Sequence, residues 1–572
     1  MAIKPSSSRF SAFNASRWFE DDNNWRKLSY ALIVIVGVIM ALTFRDYGVG
    51  ADEGHHFLHG KAVIAWYTSF FQDRHVADIG FFGDNVFYGR FFEVVALLTA
   101  KVLPFGFHES LHVTNCLFGL TGLVTAYRLG SHLLNHLAGF FSVLFLTLTP
   151  MFYGHIFINA KDTPLATLYI ISLYLIVVSY DHLPYLPKKL LVKIGLSIGL
   201  ALGVRPSSMI LFGFAAVCWA AWYIAQLRVK ALSTLNEARK TAAVMLASLV
   251  AVVSIGWATM LVWLPWAQLS PLRRSLQIVE WFTGASRGEI DGGSEGLFRF
   301  QDIQVIFNGR SMVVPDIPWH YLLTWFSLQL PEFYMVTLII GCLLVGRFVV
   351  KRKKDGEDSG KRVKPAIVGL AVLFPITSAL VLHPPLYNAV RHFLFIAPPL
   401  AVLAAVSFST LLRCNIDWRV KFGISVLVAV SAGLTVIDMI HLHPYQYIYF
   451  NRLIAGGLKG VNHKFETEYQ RISLKEGVEW LIRNYHPDST DSIKVSDCSG
   501  LAAGYQTTYY LQESETARQK WRYAEEDEIP NIYLTTTDYE DCLTAWSGKV
   551  LHTVERQGVP ILLVIEVERP QS

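Results

Sequence analysis

Charge is what this chain has least of. Only 17% of its 572 residues are Asp, Glu, Lys or Arg, against about 25% in an ordinary soluble protein. Long stretches of the first 440 residues carry almost none, which excludes a disordered chain and a typical cytosolic enzyme. Cysteine is scarce too: six residues, none in CxxC or CxxxC spacing, exclude a zinc ribbon and a secreted disulfide scaffold. A net charge of +5 without a basic, aromatic-studded RNA-reading motif excludes nucleic acid as a partner. Some 27 mostly polar residues precede the first apolar run, and no small-residue cleavage site follows it, so no cleavable signal is expected. Internal repeats are also missing. What remains is 52% hydrophobic and 13% aromatic residues, the composition of a chain that crosses a membrane many times.

Eleven apolar runs have the length to cross, near 28–44, 111–130, 136–153, 164–180, 189–204, 206–227, 242–266, 331–350, 366–382, 394–412 and 422–440. A twelfth stretch, Phe91 to Phe105, is short, holds Glu93 and Lys101 and ends at Pro104. It reads as an interfacial helix, a choice that sets the sidedness of every later loop. With eleven spans, the connectors on one side carry nineteen Lys and Arg, whereas the three short connectors on the other hold one each, Lys161, Arg205 and Arg391. The bias toward positive charge inside then predicts a cytoplasmic N-terminus and an external C-terminus in the plasma membrane, in a bacterium the inner membrane. The expected organisation is an N-terminal tail (1–27), a transmembrane region (28–440) with large external loops at 45–110 and 267–330, and an external tail (441–572). That tail is rich in charge. A helical stretch at Ser473–Tyr485 and β-like runs at Ser492–Val495, Ile529–Thr535, Val550–Glu555 and Pro560–Val567 predict a small soluble α/β domain. Cys116, Cys218 and Cys342 lie in apolar runs as small hydrophobes, and Cys414 sits at a span end. Cys498 and Cys542 in the tail can pair if it faces an oxidising space.

The residues able to do chemistry crowd the outer ends of the spans. Asp52-Glu53 opens the first external loop a few residues beyond a span, where desolvation can raise a carboxylate pKa into the range of a useful base. The bland alternative is a solvated acidic pair. Lys161-Asp162 is squeezed into the turn Ile158–Pro164, where charge beside lipid is costly unless it faces a cavity. Asp162 also suits an N-cap, with Pro164 early in the next helix. Lys161, Arg205 and Arg391, each against the charge bias, together suit an anionic group that Arg can fork. His392 follows Arg391 in the turn that also holds Tyr387, and Arg310 in Asn308-Gly309-Arg310 is a further candidate cation from the second large loop. Lipid head-group anchoring at span ends is the alternative for Lys161, Arg205 and Arg391. His55 and His59 would share a helix face at i, i+4, but Gly54 and the lack of a clear helix start weaken a metal site. His55, His56 and Tyr387 are then polar groups lining a substrate site; no cofactor is required, and a bound divalent metal is the less favoured alternative. Trp263, Trp266, Trp319 and Trp325 at span ends fit an interfacial aromatic belt.

In this arrangement the chain resembles the GT-C superfamily of membrane glycosyltransferases, most closely family 39 and the lipid A aminoarabinose-transferase-like group. The resemblance rests on Asp52-Glu53 in the first external loop, the stretch Phe91–Phe105, Asp162 in the next outer turn, and the run Tyr387–Pro399 with Arg391-His392. It covers roughly residues 28–440. It implies a GT-C-like polytopic α-helical fold and transfer of a hexosyl or pentosyl unit, with inversion, from a polyprenyl-phosphate donor to a lipid, glycan or protein acceptor outside the membrane. Asp52 would be the general base, Glu53 and Asp162 would orient acceptor or donor, and nearby cations would hold the leaving phosphate. The acceptor-binding elements and external repeat domain of protein O-mannosyltransferases have no counterpart here. A secondary transporter is the alternative from another class. Transporters tend to show internal repeats and mid-membrane polar groups, whereas here the polar groups lie at the outer ends. A non-catalytic scaffold would not need acids and cations converging at one boundary.

Overall fold

A computed structural model describes residues 19–232, 234–283, 303–350, 360–486, 492–498, 504–513, 515–525 and 527–568. The expected N-terminal tail up to residue 18, most of the basic stretch 351–364 and the middle of the 267–330 loop lie outside the described residues.

Each of the eleven apolar runs falls on a helix. Among the described residues, seven helices are long and apolar enough to cross a membrane: Asp22–Thr43, Asp162–His182, Pro206–Arg228, Leu235–Val262, Gly360–Leu382, Arg391–Arg413 and Trp418–Leu442. Two further crossings are bent pairs, His136–Thr147 with Pro150–Ile158 (67°) and Tyr321–Gln329 with Glu332–Leu344 (112°). Each break lies at a proline, Pro150 or Pro331, which cannot donate into the preceding turn. By length and composition the crossings among the described residues therefore number seven to nine, against the eleven expected. The two runs that account for the difference are Phe107–Leu133, whose 27 residues include His112, Asn115 and Arg128, and Lys188–Leu202, which has only 15. Phe91–Ala100 is a helix of 10 residues, too short to cross. Local signals start the helices where polar caps permit: Asp21 accepts from Asn23 N, Asn135 from Ala138 N, and Thr234 with Glu237 forms a reciprocal capping box.

Polar contacts sort the connectors into two ends. At one end Arg413 meets Asp22, Lys364 meets Asp181, and His132 meets Asp181. At the other, the loop after Asp22–Thr43 meets the turns around residues 160, 204 and 390, and the C-terminal α/β region packs over them. Phe91 N donates to Gly203 O and Arg90 N to Trp263 O, tying the start of the short helix to the turn around 204 and to the end of the helix Leu235–Val262.

The first sheet is a two-stranded hairpin, β1 (Gln304–Phe307) and β2 (Arg310–Val313). Among the described residues the C-terminal region holds five strands: β3 (Ile493–Asp497), β4 (Trp521–Tyr523), β5 (Ile532–Thr536), β6 (Gly548–Arg556) and β7 (Val559–Val567). Their order is β4-β3-β5-β7-β6, parallel across β4, β3 and β5 and antiparallel beyond. Four strands coincide with expected runs, and Leu474–Asn484 is the expected helix. β4 has three residues and was not expected. Gly477 lies over Leu534 and Leu562 so closely that a side chain there would overlap both, which seats this helix on the sheet. Cys498 and Cys542 form a disulfide, Cα to Cα 5.6 Å, 44 residues apart. A loop of that length is worth about 4 kcal/mol in the chain-entropy account.

Candidate active site

Four chain segments meet at the end of the bundle beneath the C-terminal region. After the first helix the chain runs through Arg45-Asp46-Tyr47 into an extended stretch and enters the helix Glu53–Thr68, with Asp52 at its N-cap position. An N-cap Asp normally accepts from the first helical amides. Asp52 makes no such bond; its Oδ2 instead accepts from Arg391 Nη1 at 3.0 Å. The Asp52 side chain is 55% accessible and so faces an opening, while Arg391 is only 9% accessible.

Glu53 faces the other way. It is 1% exposed and saturated: Oε1 accepts from Gly50 N (2.8 Å) and His112 Nε2 (2.9 Å), and Oε2 from His108 Nδ1 (2.7 Å). Its geometry holds the start of the helix. No described contact turns it toward the opening beside Asp52, where the sequence expectation had put it to orient a substrate.

Asp162 is the first residue of its helix rather than the cap. Lys161 holds the cap position, and the side chain of Asn159 braces the turn before it: its Oδ1 accepts from Lys161 N (3.1 Å) and Asp162 N (2.7 Å), and its Nδ2 donates to Asp162 Oδ2 (2.9 Å). Asp162 Oδ1 lies 2.6 Å from Arg205 Nη2. The site therefore contains two acid–cation pairs, Asp52–Arg391 and Asp162–Arg205, with Lys161 between them. Lys161 Nζ stands 3.9 Å over the Tyr88 ring, and Arg205 flanks the same ring at 5.9 Å. Arg391 lies 5.1 Å over the Tyr387 ring, whose other neighbour is His392. Arg205 Nε and Arg391 Nε are buried without a hydrogen-bond partner among the described residues, leaving donor capacity that an incoming anion can use. The turn presenting Arg391 is strained, since Asn388 and Ala389 both have positive φ (56° and 60°), and strain of this kind concentrates at functional loops. Glu466 supports that turn by accepting from the Asn388 backbone, and burial pushes the Glu466 carboxyl up to about 8.

The electrostatics run against the sequence expectation for Asp52. Burial raises its pKa, but Arg391, His56, Lys161 and His55 together outweigh burial and hold the carboxyl below the ordinary range. Burial likewise opposes ionisation of Glu53, and His112 and His108 overcome it, to about 2. Lys161 is pushed down to about 7, first by burial and then by Arg205 and Arg90, with Asp52 and Glu93 pulling the other way.

The histidines divide. His55 is exposed on the helix face beside Asp52. His56 does not line the opening as expected: it is buried, with Nδ1 2.8 Å from Glu93 Oε1, and Arg90 reaches the same oxygen at 3.0 Å. His59 is buried against Phe82. Among the described residues no group of three His, Cys, Asp or Glu is placed to hold a metal. Arg310 is exposed at the β1–β2 turn, and no described contact joins it to the other cations.

Sequence reasoning overlooked Arg90, Glu93, His108 and His112. A signal for Glu93 existed, a lone acid in a short apolar helix, but it was absorbed into the interfacial reading. The two histidines, in a long apolar run, gave no local sign of their partner Glu53.

Residues 93–260 match the family model described as dolichyl-phosphate-mannose-protein mannosyltransferase. That segment contains Glu93, Lys161, Asp162 and Arg205 but neither Asp52 nor Arg391. No curated protein sequence matches the chain. Among solved structures, the apo oligosaccharyltransferase of Archaeoglobus fulgidus overlaps at 13% identity and a TM-score of 0.46, covering 89% of this chain and 62% of that one, so the chain spans less than two thirds of its length. ArnT of Cupriavidus metallidurans, solved with undecaprenyl phosphate, overlaps at 10% identity and a TM-score of 0.45, covering 95% of this chain and 98% of that one. The resemblance to the GT-C superfamily of membrane glycosyltransferases is borne out by the family match.

Proposed function

We propose that the chain transfers a sugar from a polyprenyl-phosphate-linked donor to a hydroxyl or amine of a lipid, glycan or protein acceptor. The observation that carries this reading is the pairing of Asp52 with Arg391 beside Asp162 with Arg205, around an accessible carboxylate and buried unpartnered guanidinium nitrogens. A lipid-phosphate donor is supported by the description of the matching family model, which names a dolichyl-phosphate sugar.

The step follows from the charges. Asp52 accepts the proton of the acceptor nucleophile, whose lone pair attacks the anomeric carbon from the face opposite the phosphate. The carbon–oxygen bond to phosphate breaks, the sugar inverts, and the lipid phosphate leaves with the electron pair. Lys161, Arg205 and Arg391 lie where that charge develops, which is the largest source of rate in such transfers. His392 and Tyr387 flank Arg391, and His55 flanks Asp52 toward the opening. Asp162 fixes Arg205, and Glu53 fixes the helix start that carries Asp52.

Asp52→Asn should lower transfer by about 100-fold or more while leaving expression and membrane insertion intact; full activity of the purified variant would remove Asp52 as base. Arg391→Ala should raise the KM for the donor lipid more than that for the acceptor, as steady-state kinetics with each substrate varied will show. Lys161 supplies a pH signature. With its pKa near 7 it is charged below that pH and neutral above, and a phosphodiester keeps one negative charge throughout. Donor affinity should therefore rise about tenfold from pH 8 to pH 6, and Lys161→Arg should flatten this dependence in equilibrium binding.

The reading also places the N-terminus in the cytoplasm and this site, with the C-terminal region, on the external face of the plasma membrane. The Cys498–Cys542 pair supports an oxidising side for that region. In a background stripped of free cysteines, Arg310→Cys should react with an impermeant maleimide in intact cells and Lys230→Cys should not. The reverse pattern inverts the topology.

A further inference from the structure

The segment that delivers Asp52 has few contacts of its own to hold it. Between Tyr47 and Glu53 the chain is neither helix nor strand, and it contains Gly48 and Gly50. Its backbone groups must find partners because the segment is buried up to Gly50. The C-terminal region supplies three of them, beside the local bonds of Gly50 N to Glu53 Oε1 and of Glu53 N to Gly50 O. Val49 N donates to Tyr510 Oη at 2.6 Å, and Val49 O accepts from Gln506 Nε2 at 2.5 Å. Ala51 N donates to Gln470 O at 3.1 Å, and the same Gln506 amide donates to Gln470 O at 3.1 Å. Gln506 thereby ties the two strands of chain together.

A second connection reaches Glu53. The Glu53 carboxylate can only accept, so the proton on His108 lies on Nδ1, and in the neutral ring Nε2 is left to accept from the Tyr505 hydroxyl at 3.0 Å. The fit is close along the whole segment. A Cβ on Gly48 would meet the Ile472 carbonyl oxygen at 2.4 Å, and one on Gly54 would meet the Tyr505 ring at 2.9 Å. Tyr505, Gln506 and Tyr510 all belong to one short helix, Tyr505–Leu511, which Thr507 fastens to β3 by donating to Asp497. These contacts are directed hydrogen bonds to the residues flanking Asp52, not apolar padding beneath the sheet.

We propose that the C-terminal α/β region is a working part of the catalytic site, with Tyr505, Gln506 and Tyr510 as positioning residues that fix the Val49–Glu53 segment and through it the Asp52 carboxylate. The proposal rests on the reading of Asp52 as the base. Misplacing a reacting group by about 1 Å costs on the order of 100-fold in rate, and the damage falls mainly on turnover because Lys161 and Arg205 hold the donor phosphate beside the guanidinium that Asp52 shares.

The test uses the full-length protein in detergent. Gln506→Ala and Tyr510→Phe should each lower kcat by about tenfold or more while the donor KM stays within about threefold, the split expected when ground-state binding is untouched. Val554→Ala, in the core of β6 and away from these contacts, should lower the melting temperature yet leave kcat unchanged. If Gln506→Ala does not fold, Tyr510→Phe decides alone, since it deletes a single oxygen. Unchanged kcat in Tyr510→Phe, or an equal loss of kcat in Val554→Ala, overturns the proposal. Full activity in Asp52→Asn instead overturns the assignment of the base, so the two failures are distinguishable.

Discussion

The constraint on which the rest of this molecule depends is that charge taken out of water must be compensated where it lies. An unpaired carboxylate or guanidinium in an apolar bundle costs several kcal/mol, and the chain meets that cost by bringing acids and cations from segments far apart in sequence to one end. Arg391 answers Asp52 across 339 residues, Arg205 answers Asp162, and Arg90 with His56 answers Glu93. Each pairing fixes a turn between helices that apolar packing alone would leave free to rotate or slide. The helices supply the walls, and the ion pairs decide where the turns point.

The same rule explains what the sequence made legible. Apolar runs of span length form helices wherever the chain lies, so every one of the eleven runs was readable from composition, although Lys188–Leu202 is too short and Phe107–Leu133 too polar to count as a crossing on its own terms. Lys161, Arg205 and Arg391 were readable because cations in short outward turns contradict the charge bias. Which acid each would meet was not readable, because pairing is a property of the folded geometry and leaves no periodicity. His56 illustrates the limit: beside Asp52 in sequence, it turns on the helix to a carboxylate from Phe91–Ala100. Arg310 illustrates the converse, a cation in a suitable loop that folding leaves at the tip of a hairpin. Asp162 reads as an N-cap by residue type, yet it is the first helical residue behind Lys161, its amide donates to Asn159, and its carboxylate pairs with Arg205. The short β4 fell below the length at which alternation can be recognised.

The expectation for the acidity of Asp52 failed for a related reason. Residue position suggests desolvation, and desolvation does act on this carboxyl, but it is one force among several. Four neighbouring cationic or protonatable groups outweigh it, and none of them could be placed beside Asp52 without the fold. A carboxylate at a membrane boundary is therefore not by itself a group with a raised pKa; the sign is set by what the bundle brings to it.

A base held at low pKa by a guanidinium is weak, and under the proposed reaction that weakness has a use. Arg391 already spends one N–H on Asp52 while its Nε has no partner among the described residues. An arriving phosphate competes with Asp52 for the same guanidinium, so donor binding is an exchange of acceptors rather than a simple gain of one. As the guanidinium turns to the phosphate, its hold on Asp52 slackens and the carboxylate becomes more basic, while the effect of burial, which raises the pKa, remains. Basicity then appears when the donor is present and is suppressed when it is absent. Under the proposed reaction, the Asp52–Arg391 pair therefore links donor binding to the strength of the base.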